Sequence, residues 1–250
     1  MPDISSRRRR SGPAWLGRIT ARFTPTIKTL VIADTIIYLF YVVVRQSREF
    51  MEMHLALSAL FFTGELWQPV TSLFVHLDFL GFLFGMIGLW FVGGIIEKTQ
   101  GTRRCAMLFL AGGVLANLAI AGGFWLMRSA RLSFDDGTTF GTMALFVAFG
   151  RMYGRQPAQV WPIPISVQAR YLVLILAGFL AAAFVTRGDW PHLAGLAVSM
   201  AVGYFGAAPG GLTELRSFFA HARDVARARR MRRRFGVIEG GGRKPKKYVN

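Results

Sequence analysis

Six apolar stretches are set off from one another by short polar segments: roughly Ile27–Val44, Val70–Ile96, Cys105–Met127, Thr138–Tyr153, Tyr171–Thr186 and Trp190–Ala208. A bilayer span needs about 20 mostly apolar residues, within a range of about 17–25. The second and third stretches read as clear spans. The fourth and fifth are short, which leaves two readings: thin spans, or helices sunk into the interior of a bundle. Runs this long and this numerous exceed what a soluble core contains. The pattern predicts an all-α fold, a polytopic membrane bundle of six helices. The polar segment Arg45–Pro69 carries an amphipathic stretch expected to lie at the interface. Residues 1–26 form a basic N-terminal segment, 27–208 the membrane domain and 209–250 a basic amphipathic tail.

Composition sharpens this. The chain is 53% hydrophobic yet carries a formal net charge of +17. A soluble domain would be less apolar and a disordered basic protein more polar, so the combination points to a membrane protein with cationic ends. The single cysteine, Cys105, excludes an internal disulfide and a cysteine-based zinc site. The N-terminus is basic, but no apolar run follows before Ile27, so the first stretch reads as a retained anchor and not as a cleavable signal. With the N-terminus inside, 25 of the 30 Lys/Arg residues fall on inner segments; only Arg45, Arg48, Arg128, Arg131 and Arg187 fall outside. That asymmetry predicts cytoplasmic termini in a cell (inner) membrane. Trp67, Trp125 and Trp190 then sit at the outer interface. In the tail, Leu215, Phe218, Phe219, Ala222 and Val225 recur at helical spacing opposite Arg216, Arg223, Arg227, Arg230 and Arg234. Such a helix suits an anionic lipid surface; nucleic-acid binding has nothing beyond charge to support it.

Three stretches carry a more specific signal: GELWQPVTSLFVHLDFLGFLFGMIGLWFVGGIIEKTQG (Gly64–Gly101), TTFGTMALF on the fourth helix and PHLAGLAVSMAVGY (Pro191–Tyr204) on the sixth. Their order and spacing resemble the rhomboid family of intramembrane serine proteases. The most specific elements are the Glu97-Lys98 pair after Gly93-Gly94, and His192 followed by Gly195. The resemblance implies a serine in Gly-x-Ser-Gly at the start of the fourth helix and a histidine base on the sixth. It also implies a His and an Asn, four residues apart on the second helix, as oxyanion donors. It implies no cofactor and no metal.

Position by position, the chemistry is mostly gone. His192 matches the base, but Phe140 stands at the nucleophile position, before Gly141. Gly81 and Gly85 stand at the oxyanion positions and offer no side-chain donor. Ala144 replaces a usual aromatic, the family's Trp-Arg reads Trp67-Gln68, and His76 matches a frequent family histidine. Catalysis requires interactions that strengthen in the transition state, and little is left here to supply them. Thr138, Thr139 and Thr142 point about 100° or 200° away from the lost serine on a helix, and Ser199 lies about 10 Å along the same helix as His192. The resemblance therefore implies an inactive relative that binds transmembrane clients, as inactive rhomboids and derlins do, with Phe140, Gly141, His192 and Gly195 as client-binding positions. Phe140 is expected to fill the lost site, against the Gly81/Gly85 face with its ring near His192. Phe140→Ser alone should not create a protease, whereas adding Gly81→His and Gly85→Asn would supply donors.

Two other function classes compete. An active intramembrane serine endopeptidase with an unorthodox nucleophile would betray itself by reacting with a fluorophosphonate. A transporter or channel would need a polar path, and only Asp34, Asp78, His76 and His192 offer one. Ionisable groups inside spans are functional suspects. Asp78 and His76 are close enough in sequence to satisfy each other at the water interface. Asp34 has no evident partner. Small residues on the fourth helix (Gly137, Gly141, Ala148) and the sixth (Gly195, Ser199, Gly203) suit close helix packing.

Overall fold

The structure, a computed structural model, describes residues 24–127, 138–159, 166–208 and the two positions 221 and 223; side chains of 157–167 are not described. The chain divides into a unit spanning Met1–Pro209 and a unit spanning Gly210–Asn250. Of the second, His221 and Arg223 are helical and exposed; the basic tail expected there otherwise lies outside the described residues, as does Gly137.

The described part of the first unit is helical apart from one short antiparallel hairpin, β1 (Pro157–Gln159) and β2 (Ser166–Gln168). Helix α1 (Pro25–Val43) leads through polar α2 (Arg45–His54) and the four-residue α3 (Gln68–Thr71) into α4 (Phe79–Gln100). Then follow α5 (Thr102–Leu126), α6 (Thr139–Tyr153), α7 (Ala169–Thr186) and α8 (Trp190–Gly206). Helices α1, α4, α5 and α7 are long and apolar enough to cross a membrane. The 15-residue α6 is short because it is internal: Phe140–Leu145 and Val147–Phe149 are buried among α4, α5, α7 and α8. Of the two readings of the fourth stretch, the sunken helix is the one observed. The fifth, α7, runs 18 residues and keeps an apolar, largely exposed face.

The second span starts at Phe79, not at Val70. The apolar run Val70–Leu77 instead comprises the end of α3, a 3-10 turn at Ser72–Phe74 and a short connection, packed into the bundle with Leu73 and Val75 buried. Asn117 of α5 anchors it by donating to the Pro69 carbonyl at 3.1 Å and the Ser72 hydroxyl at 2.8 Å. Buried Gln68 fastens the segment that precedes it. Its Oε1 accepts from Ser58 N at 2.8 Å, and its Nε2 donates to Met53 O at 3.0 Å and Glu65 Oε2 at 2.7 Å.

Glu97 fastens the opposite end of α1. Its carboxylate accepts from the Thr26 and Ile27 amides at 2.9 and 3.1 Å, from the Thr26 and Thr102 hydroxyls at 2.7 and 2.8 Å, and from the Thr24 hydroxyl. It thus satisfies amides that a helix N-terminus leaves without partners. Near the C-terminus of α8, Arg104 donates to the Gly206 and Ala208 carbonyls at 2.9 and 2.7 Å. Arg151 donates to Tyr204 O at 2.7 Å, so two cations cover the negative end of that helix.

Asp34 lies on the inward face of α1, in register with Ile27 and Tyr41, and is 0% exposed. Both its carboxylate oxygens lack a hydrogen-bond partner. An unsatisfied buried polar group costs about 1–3 kcal/mol. Asp34→Leu is therefore expected to raise the unfolding midpoint of the detergent-solubilised protein. A fall in the midpoint would mean that the carboxyl holds something the bundle needs.

Candidate functional site

The site is built at the N-terminal ends of α6 and α8. Helix α8 begins with a strong start signal: Asp189 at the cap and Pro191 in the first turn. Asp189 Oδ1 accepts from the His192 amide at 3.4 Å and meets His192 Nδ1 at 2.7 Å. One carboxylate thereby starts the helix and orients the imidazole. Three rings surround His192, with centroids at 5.4 Å (Phe184), 5.9 Å (Phe124) and 6.3 Å (Phe140). Phe140 is 2% exposed and also stacks on Phe184 at 6.3 Å. Its ring thus lies near His192, as the sequence implied.

Phe140 does not lie against Gly81 and Gly85. It packs on the opposite side, with Ile120, Met143 and Leu196. The reason is helical phase: residues two apart point about 200° from each other, and it is Thr138 that faces α4. A Cβ added at Gly85 would stand 2.5 Å from Thr138 Oγ1 and 3.3 Å from His76 Nε2. A Cβ at Gly81 would instead meet the carboxylate of Asp78, 2.7 Å from Oδ2. Nor do His76 and Asp78 form the expected mutual pair. Asp78 caps α4 by accepting from the Gly81 amide at 2.7 Å, while His76 Nε2 accepts from the Thr138 amide at 3.4 Å. Burial pushes the His76 imidazole down to about 4, against the opposing charge of Asp78. A neutral ring suits its accepting Nε2, and its Nδ1 is buried without a partner.

Ala144 is clamped. A Cβ at Gly112 of α5 would come 2.3 Å from Ala144 Cβ, and one at Gly203 of α8 would come 2.2 Å from Ala144 O. No aromatic ring fits between backbones this close, which accounts for the alanine. Gly141 is pressed on Phe109, and Gly195 on Ile120 and the Ala116 carbonyl. These two expected client positions are thus taken up by internal packing. The hydroxyls near the nucleophile position face elsewhere. Ser199 donates to Phe140 O at 2.5 Å, Thr139 is exposed, and Thr142 packs its methyl against Gly88. Among the described residues no group of three His, Cys, Asp or Glu converges as a metal-ion site.

Asp189 escaped the sequence reading, and Thr138 was weighed there only as a stand-in hydroxyl. Asp189 was legible as a cap three residues before His192. Thr138 was legible by counting, since it occupies the first glycine of Gly-x-Ser-Gly when Phe140 takes the serine.

A rhomboid-domain family model matches residues 63–209, more than half of the chain. The chain belongs to the rhomboid family. Among curated proteins it is similar to rhomboid protease GlpG of Pectobacterium atrosepticum, 23% identical over 146 residues, covering 56% of this chain and 49% of that protein. Rhomboid protease GlpG of Yersinia pestis is 22% identical over 141 residues, covering 56% and 48%. The chain thus spans about half the length of the curated relatives it matches. As a rhomboid-family chain with this helical bundle it is an integral membrane protein. The match contains all the site positions described above.

Proposed function

We propose that this rhomboid-family protein has lost proteolysis and binds transmembrane segments of client proteins. The observation that carries the reading is the buried phenyl ring of Phe140 beside His192. Serine-type catalysis needs a hydroxyl within reach of its base, and a phenyl group can be neither nucleophile nor acid. Asp189 still orients His192, but Thr138 and Thr142 turn towards α4, and Ser199 is engaged by the Phe140 carbonyl. The purified protein is expected not to react with a fluorophosphonate that labels an active rhomboid protease in parallel. Labelling that disappears on substituting a single serine or threonine would instead establish an unorthodox nucleophile.

Clients are membrane helices on this reading, because the lipid-facing surface offers little but apolar side chains. Phe79, Leu80, Phe84 and Ile87 on α4, and Leu174, Ile175 and Phe179 on α7, are exposed. A client meets Phe140 and His192 only when α7, which carries Phe184, moves aside. A photocrosslinker at position 140 should then capture foreign apolar helices; capture of α7 alone would count against entry at this site.

The orientation that fits the charge pattern has six spans, both termini cytoplasmic and the basic tail on anionic lipid. Reporter fusions after Arg131 and after Tyr153 should report opposite sides, the first external. A cytoplasmic signal at Arg131 would remove the scheme.

A further inference from the structure

We infer that Thr138 is a second seal on the site, occupying the oxyanion pocket that Gly85 vacates. The inference rests on the reading of Phe140, Gly81 and Gly85 as remains of a protease site, and goes beyond it. That reading treats the two glycines as lost donors and the pocket as bare. The geometry says that the pocket is filled. A side chain at position 85 would have to begin 2.5 Å from Thr138 Oγ1 and 3.9 Å from Thr138 Cβ. The first distance is shorter than real Cβ contacts and the second is an ordinary one, so a side chain at 85 requires the Thr138 hydroxyl to turn aside.

Three further observations give the seal its character. Thr138 is 1% exposed, and its hydroxyl is buried without a hydrogen-bond partner. A hydroxyl in that state costs stability, so its interior polarity is no gain; what it supplies is volume. Next, Thr138 is fixed from behind, because its amide donates to His76 Nε2 and its carbonyl accepts from the Thr142 amide at 2.8 Å. The backbone that carries the side chain is therefore held in place, and what moves the hydroxyl is rotation about the Cα–Cβ bond. Lastly, the same pattern repeats one turn on, where a Cβ at Gly88 would stand 2.9 Å from Thr142 Cγ2. The two threonines form a ridge, i and i+4, seated on the Gly85 and Gly88 backbone of α4. Phe140, on the far side of α6, is seated among α5, α7 and α8. The two substitutions thus close different walls of the site. The exchange that balances volume across α4 and α6 is Thr138 against Gly85, and not Phe140 against the two glycines.

It follows that Gly81→His and Gly85→Asn with Phe140→Ser supply donors but do not by themselves rebuild an active site, because the asparagine must first displace the Thr138 hydroxyl. The test has two arms on the full chain in detergent. In the first, thermal midpoints are measured for Gly85→Ala, Thr138→Gly and the pair. Gly85→Ala should lower the midpoint, and Thr138→Gly should recover most of that loss in the pair. Losses that simply add would overturn the seal. In the second arm, the rate of fluorophosphonate labelling is compared for F140S/G81H/G85N with and without T138G. Threonine removal should raise it about 10²–10³-fold, the order a single oxyanion donor is worth. Non-additive midpoints without a labelling gain would leave Thr138 as the occupant and overturn the reading of residues 81, 85 and 140 as a former protease site.

Discussion

Phe140→Ala should destabilise the bundle by about 3–5 kcal/mol, the usual cost of truncating a fully packed phenylalanine. The ring is 2% exposed and touches three helices besides its own. Truncation leaves Phe184 and His192 facing a hole, and the surroundings cannot collapse into it. Met143 is already packed, and the α6 backbone is gripped one turn on, at Ala144, by Gly112 and Gly203. Phe140→Leu retains most of the volume and should cost less than about half as much, in the range of shape-changing swaps. The measurement is reversible unfolding in mixed micelles, read from the midpoint. A loss under about 1 kcal/mol for alanine, small against ordinary core truncations, would show that the ring is not a packing element. The role of Phe140 as the filler of a former active site would then fall.

Gly203→Ala should be comparably damaging, although it adds a single methyl group. The new Cβ would stand 2.2 Å from the Ala144 carbonyl oxygen and 3.0 Å from its carbonyl and α carbons. These are backbone atoms of the innermost helix, so no rotamer change relieves the clash; α8 must move away from α6. Overpacking costs typically 1–3 kcal/mol and occasionally more, and a rigid backbone obstacle puts this case at the upper end. Gly178→Ala on α7 is the internal control. Nothing lies within 4 Å of its added Cβ, so it should be neutral or gain about 0.5–1 kcal/mol from helix propensity. Equal effects at 178 and 203 would mean that α6 and α8 are not in the close contact described.

How far the sequence carried the structure depends on which force placed each residue. Helix positions were legible because apolar length is a bilayer constraint, and each of the six stretches contains a helix, although the second begins well before its own. That early part, Val70–Leu77, is apolar for a different reason: it packs against α5, and hydropathy does not distinguish lipid from protein interior. Within the site, chemistry was legible as presence or absence at motif positions, and the nearness of Phe140 to His192 followed. The direction Phe140 takes from α6 did not. It depends on where the helix starts, and Thr138, not Phe140, turned out to face Gly85. Ala144 was visible as a small residue, but its cause, two glycine backbones from helices far apart in sequence, was not. Asp34 was visible as an anomaly and remains one that is fully buried.

The Glu97 clamp also has a consequence in time. Membrane chains are made and threaded N-terminus first, and the carboxylate that satisfies the start of α1 comes about seventy residues later. Until α4 is in place, the Thr26 and Ile27 amides must be satisfied by lipid headgroups or water. The first span is therefore held at a provisional depth during synthesis and takes its final one only when Glu97 arrives. Glu97→Gln would keep the geometry but weaken that late docking. Its mark would be a first span that stays accessible to aqueous thiol reagents, at a cysteine placed at Thr29, long after synthesis has ended.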